Sequence, residues 1–173
     1  MHRLSLPLMA LLALSCKDSG VAPADQSFGQ VIFETEYVNW AWGYAYQGTV
    51  VFEDGSLYSY NPGQDSVDVL HHANDRYDAS ELSSKYAHRK LFIRTISSDT
   101  LLLMRQLASG VNLSSFSDTT RVGADMGAIA YSVYRFNSDS AQYHKLVLRV
   151  DGDWTFYNRS DDAVALVSLM QRL

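Results

Sequence analysis

Cysteine is nearly absent from the 173-residue sequence: one residue, Cys16. No disulfide can form within the chain, so the fold must rest on its core. Proline is also scarce, with three residues, and there is no run of basic residues. The formal net charge is −5, and removal of Arg3 with an amino-terminal segment would make it −6. A mildly acidic chain without a basic stripe has nothing to offset phosphate repulsion, which argues against nucleic acid as a partner and against polybasic contact with anionic lipid heads. No apolar run is long enough to cross a bilayer as a helix. The catalytic signatures are missing too: no G-x-S-x-G, no H-E-x-x-H, no phosphate-cradling glycine loop and no dinucleotide fingerprint. No cofactor is implied.

What is present begins at the amino terminus. His2 and Arg3 form a short basic start, and Leu4 to Leu14 is an apolar run broken by Ser5 and Pro7. Ser15-Cys16 follows, in the order of an export signal. Ala13-Leu14-Ser15-Cys16 resembles the lipobox of bacterial lipoproteins, although the family usually places Leu where Ala13 stands and a small residue where Leu14 stands. The resemblance covers residues 1–16 alone. It implies that residues 1–15 are a cleaved signal and that Cys16 is lipidated, anchoring the chain to a membrane of the cell envelope. Lys17, in place of the Asp that favours inner-membrane retention in enteric bacteria, implies the outer membrane in a cell that has one.

Residues 17–27 (KDSGVAPADQS) are small, polar and without periodicity. They read as a tether that spans at most about 36 Å when extended. A single domain is expected over residues 28–173. Its composition, 47% hydrophobic and 12% aromatic, suits a packed core. Asp54-Gly55 lies between apolar runs and predicts a hairpin with a two-residue turn, pairing Phe52 with Leu57 and Val51 with Tyr58. Asp78 with Glu81 predicts a capping box opening a helix over 79–88. Ser98 is the expected cap of a second helix, over 99–109, and Ser160 opens a third. Strands are expected over 91–96, 128–136, 143–150 and 153–157, with Asp151-Gly152 as a tight turn. The fold class is therefore α+β: an antiparallel β-meander sheet with two inserted helices and a C-terminal helix. One sheet face is expected to be covered by helices and the other at least partly wet.

Several residues invite a chemical reading. His71, His72 and Asp75 are the nearest approach to a metal cluster, but adjacent histidines diverge on either a strand or a helix. No metal site is expected. Asp151 and Asp153 flank Gly152 beside Trp154, and a carboxylate pair beside an aromatic is what a glycosidase uses; Asp at a turn is also favoured for backbone reasons alone. Glu34 and Glu36 share a strand face, with nothing else in the sequence converging on them. The most informative stretch is Trp40-Ala41-Trp42-Gly43-Tyr44-Ala45-Tyr46. In an extended strand its four large rings fall on one face and its small residues on the other. Those rings are either core or an outward binding surface, and the tyrosine and tryptophan edges suit a half-wet face.

The expected function is a lipid-anchored binding or interaction module of the cell envelope, using Trp40, Trp42, Tyr44 and Tyr46. Its expected partners are the membrane, through the lipid, and a cell-wall glycan or an envelope protein. The alternative is an envelope hydrolase acting on cell-wall sugar or peptide, with Asp151 and Asp153 as its weak catalytic candidates. A structural or inhibitor-like lipoprotein is a third reading.

Overall fold

A computed structural model describes residues 31–41, 43–61, 75–87 and 91–173. Cys16, the tether, His71 and His72 lie outside the described residues. The described chain is an α+β fold built on an antiparallel sheet. Strands β1 (Val31–Asn39), β2 (Ala45–Phe52) and β3 (Ser56–Tyr60) form a meander. The two-residue β4 (Arg76–Tyr77) leads into α1 (Ala79–Ala87), then β5 (Leu91–Thr95) and α2 (Ser98–Gly110). After the short β6 (Thr120–Arg121), strands β7 (Ala128–Asn137), β8 (Gln142–Gly152) and β9 (Trp154–Tyr157) form a second meander. Helix α3 (Asp161–Met170) closes the fold. The spatial order is β5-β3-β2-β1-β7-β8-β9-β6, with β4 beside β8, so β1 joins the two meanders by pairing with β7.

Alternation along the strands sorts side chains onto two faces, and both faces bury a core. On the first, Phe33, Val51, Leu57, Val133 and Leu148 pack against Leu101 and Met104 of α2 and Ala163, Leu166, Val167 and Met170 of α3. The four α3 residues recur at helical spacing and so share one face. Each large one contributes on the order of 1.5–3 kcal/mol by leaving water. On the second face Tyr46, Val50, Phe52, Tyr60 and Tyr134 pack against Leu82 and Tyr86 of α1. Helices therefore lie on both faces, not on one. Helix α1 crosses to the second face because its buried side includes Lys85, whose counter-ions are there.

The helix starts follow local chemistry. Asp78 and Glu81 form the expected reciprocal box: Glu81 N donates to Asp78 Oδ1 at 2.8 Å, and Asp78 N to Glu81 Oε2 at 2.7 Å. The cap of α2 is Ser97, one residue earlier than expected, whose Oγ accepts from Thr100 N at 3.2 Å. The first hairpin differs from expectation by one residue of register. Val51 faces Leu57 and Val50 faces Tyr58, which leaves a three-residue loop, Glu53-Asp54-Gly55. Gly55 N donates to Phe52 O, and Gly55 itself takes the left-handed conformation (φ +83°), so the turn is followed by a glycine step. Asp151 and Gly152 are likewise the last residues of β8, and Asp153 makes the bend.

Candidate functional site

The aromatic stretch is not one extended strand. Asn39 pairs with Ala45, so residues 40–44 form the connection between β1 and β2. Asn39 Oδ1 accepts from Ala41 N at 2.9 Å, and Gly43 has φ +104°. Trp40 and Tyr44 flank this turn and meet with ring centroids 4.8 Å apart. Tyr44 lies 6.4 Å from Tyr46, and Tyr46 meets Tyr60 edge-on at 5.9 Å. The rings thus share one side, but through a reversal of the chain and with very different access to water. Trp40 is 54% exposed, Tyr44 half-buried, and Tyr46 2% exposed. Tyr46 is core, not binding surface, because the returning strand carries it under α1's aromatic layer. Trp42 lies outside the described residues.

The exposed end of this series has neighbours that sequence reasoning missed. Val38 pairs with Ala128, and Ala128 with Gly152, so the β1–β2 turn, the approach to β7 and the β8–β9 bend occupy the same end of the sheet. Asp153 ties that end together: its Oδ1 accepts from Met126 N at 2.9 Å and its backbone oxygen from Val122 N at 2.9 Å. Val122, Met126 and Trp154 stand exposed there, Trp154 by 54%. The Arg121 guanidinium lies 5.8 Å from the Trp154 ring, within reach of a cation–π contact. Apolar residues from segments 28 and more positions apart converge here, and no local pattern announces them.

Asp151 and Asp153 each have a partner within the fold. Asp151 Oδ1 accepts from Arg149 Nε at 2.8 Å, with Oδ2 2.7 Å from the same nitrogen, and Asp153 Oδ1 accepts from the Met126 amide. Of the histidine set, Asp75 is described, and its backbone oxygen accepts from Lys145 N at 2.8 Å. No group of three or more His, Cys, Asp or Glu among the described residues is placed to hold a metal. No described helix is long and apolar enough to cross a membrane.

The strongest electrostatic feature is buried, and it centres on Glu34 and Glu36. Lys85 of α1 and Lys145 of β8 both reach this strand pair. Glu34 Oε1 accepts from Tyr60 Oη and Tyr86 Oη, each at 2.6 Å, and lies 2.6 Å from Lys85 Nζ. Its Oε2 accepts from Tyr134 Oη at 2.7 Å. Glu36 Oε1 takes Lys85 at 3.0 Å and is also bonded by Lys145. Burial opposes ionisation of Glu34, but attraction to Lys85 and then Lys145, with the hydrogen bonds, outweighs it and holds the carboxyl well below its usual range. Glu36 is raised instead: burial, then repulsion by Glu34, outweigh the same two lysines. Lys145 is held charged, since Glu36 and Glu34 overcome its burial. Two carboxylates and two ammonium groups balance, and each Glu34 oxygen already has donors. The arrangement fixes α1 to the sheet. The two lysines lie 49 and 109 residues from Glu36, which is why the sequence showed only the glutamates.

Scans of protein-family models, of curated proteins and of solved structures find no match to this chain.

Proposed function

We propose that this chain is a lipid-anchored binding module of the bacterial cell envelope, and that it meets an envelope protein at the aromatic end of its sheet. The observation that carries the reading is the exposure of Trp40 and Trp154, 54% each, at that one end of the sheet, where Met126 and Val122 are exposed too. Tryptophan, methionine and arginine are the residues enriched where proteins dock. The lipid on Cys16 would hold the domain close to the membrane, within the reach of the tether. A hydrolase acting on cell-wall sugar or peptide draws no support from Asp151 and Asp153, whose carboxylates hold Arg149 and the Met126 amide.

Two measurements test the proposal. A palmitate analogue should label the chain and fail to label Cys16→Ala. A photo-crosslinking residue placed at Trp40 or Trp154 of the full-length protein in intact cells should give a discrete adduct with the same protein. The same probe at the exposed Asp99 should not. Equal adducts from all three positions, or none from Trp40 and Trp154, would overturn the docking reading.

A further inference from the structure

A second surface carries a different chemistry. Helices α2 and α3 cover part of the first sheet face, and the rest of that face is a groove of about 420 Å³. The strand register orders its side chains into two rows. Ser59 faces Thr49, Thr49 faces Thr35, and Thr35 faces Tyr131, a line of hydroxyl-bearing residues across β3, β2, β1 and β7. Gln47, Tyr37 and Ile129 form the parallel row. Neighbouring strands are about 4.8 Å apart, so each row offers one side chain at that interval along a length of roughly 14 Å.

Among the described residues, charge is what separates this groove from an ordinary wet sheet face. Eleven of the described residues line it, and none of these is Asp, Glu, Lys, Arg or His. In a chain with 19% charged residues, roughly two would be expected, and solvated surfaces are richer still. An ion placed there would lose hydration and find no counter-charge among the described lining residues. Hydroxyls and an amide, by contrast, both donate and accept. Tyr37 Oη accepts from Asn39 Nδ2 at 3.1 Å, which leaves its own O–H to donate. Ile129 and the Tyr37 ring supply apolar surface beside them. The volume falls within the range of small-ligand clefts.

We propose that this groove binds a neutral, hydroxyl-rich ligand, a segment of uncharged oligosaccharide laid across the strands. Its hydroxyls would exchange hydrogen bonds with Ser59, Thr49, Thr35 and Gln47, and its C–H faces would lie on Ile129 and Tyr37. The groove is separate from the exposed tryptophans, so this inference and the docking reading stand or fall independently.

The test is a calorimetric titration of the full-length protein in detergent with cellotetraose, chitotetraose and maltotetraose, and with a sulfated tetrasaccharide. At least one neutral tetrasaccharide should bind and the sulfated one should not. Thr49→Val, which keeps the shape and removes the hydroxyl, should bind about tenfold more weakly, a loss of about 1.4 kcal/mol. Thr49→Ser should retain most of the affinity, which guards against a folding defect in the valine variant. Trp40→Ala should bind as the unaltered protein does. No binding by any neutral tetrasaccharide at millimolar concentration, equal binding by the sulfated one, or undiminished binding by a folded Thr49→Val would overturn the proposal.

Discussion

Lys85 Nζ lies 2.6 Å from Glu34 Oε1, and neither side chain is more than 1% exposed. A buried pair of this kind is strongly destabilising to break, because the remaining charge has no water to turn to. The two glutamates should nevertheless respond differently to the same change. In Glu34→Gln the new amide would point donors at Tyr60 and Tyr86 or at Tyr134, all of which already donate to this carboxylate. Glu34→Gln should lose about 3–5 kcal/mol of stability. Glu36 carries a raised pKa and is the less committed ion, so Glu36→Gln should cost clearly less. Urea unfolding of both variants checks the order; equal losses would contradict it.

The same pair sets the pH response. Glu34 is depressed, so its contribution is present above the unfolded carboxyl value of about 4.3 and is lost as pH falls through the folded value. Glu36 is raised, so its contribution is present below about 4.3 and is lost as pH rises through its folded value. The Glu36→Gln variant removes the second effect and leaves the first. Subtracting its urea midpoint from that of the unaltered chain should give a difference that grows in favour of the unaltered chain between neutral pH and about pH 4.3. A difference that is flat across that range would show that Glu36 does not titrate as its surroundings require.

Gly48 is the backbone counterpart of this network. It faces both Glu36 and Tyr60 across the sheet. A Cβ built there would stand 2.5 Å from Thr35 O and 2.6 Å from Tyr60 Oη. The bare backbone is therefore what lets the Tyr60 hydroxyl reach Glu34. Gly48→Ala should cost about 1–3 kcal/mol by overpacking, read from chemical denaturation. An alanine variant as stable as the original would mean that Tyr60 is not seated against this strand.

These residues also mark where the sequence was legible. Local chemistry was readable: the Asp78–Glu81 box, the apolar face of α3 from Ala163 to Met170, and the strands from Ala128 onward all follow from short-range patterns. Register was less so. Gly55 permits both a two-residue and a three-residue loop, and the choice between them moves every pairing in the hairpin by one. Gly152 stands where a turn glycine was expected, yet its φ is not positive; it is needed because Gly127 O and Ala128 press against it. The groove, and the meeting of Trp40 with Met126, Val122 and Trp154 at one end of the sheet, were not legible, since each is assembled from strands that only the β1–β7 pairing brings together.

The aromatic stretch gives the sharpest contrast between two neighbouring rings. Tyr46 packs against Tyr60 in the core, and Trp40 extends the same series into water. Tyr46→Ala would leave a cavity where an aromatic side chain had been and should cost about 3–5 kcal/mol. Trp40→Ala removes an exposed ring and should change stability by no more than about 0.5 kcal/mol. Fluorescence can check the exposure directly in a Trp42→Phe, Trp154→Phe chain, where Trp40 is the remaining tryptophan. Its emission should be red-shifted and readily quenched by acrylamide, and in the envelope-bound protein both properties should move toward those of a buried ring. A Trp40 that resists the quencher in the free protein would remove the aromatic end as a docking surface, whatever the stability of the variants.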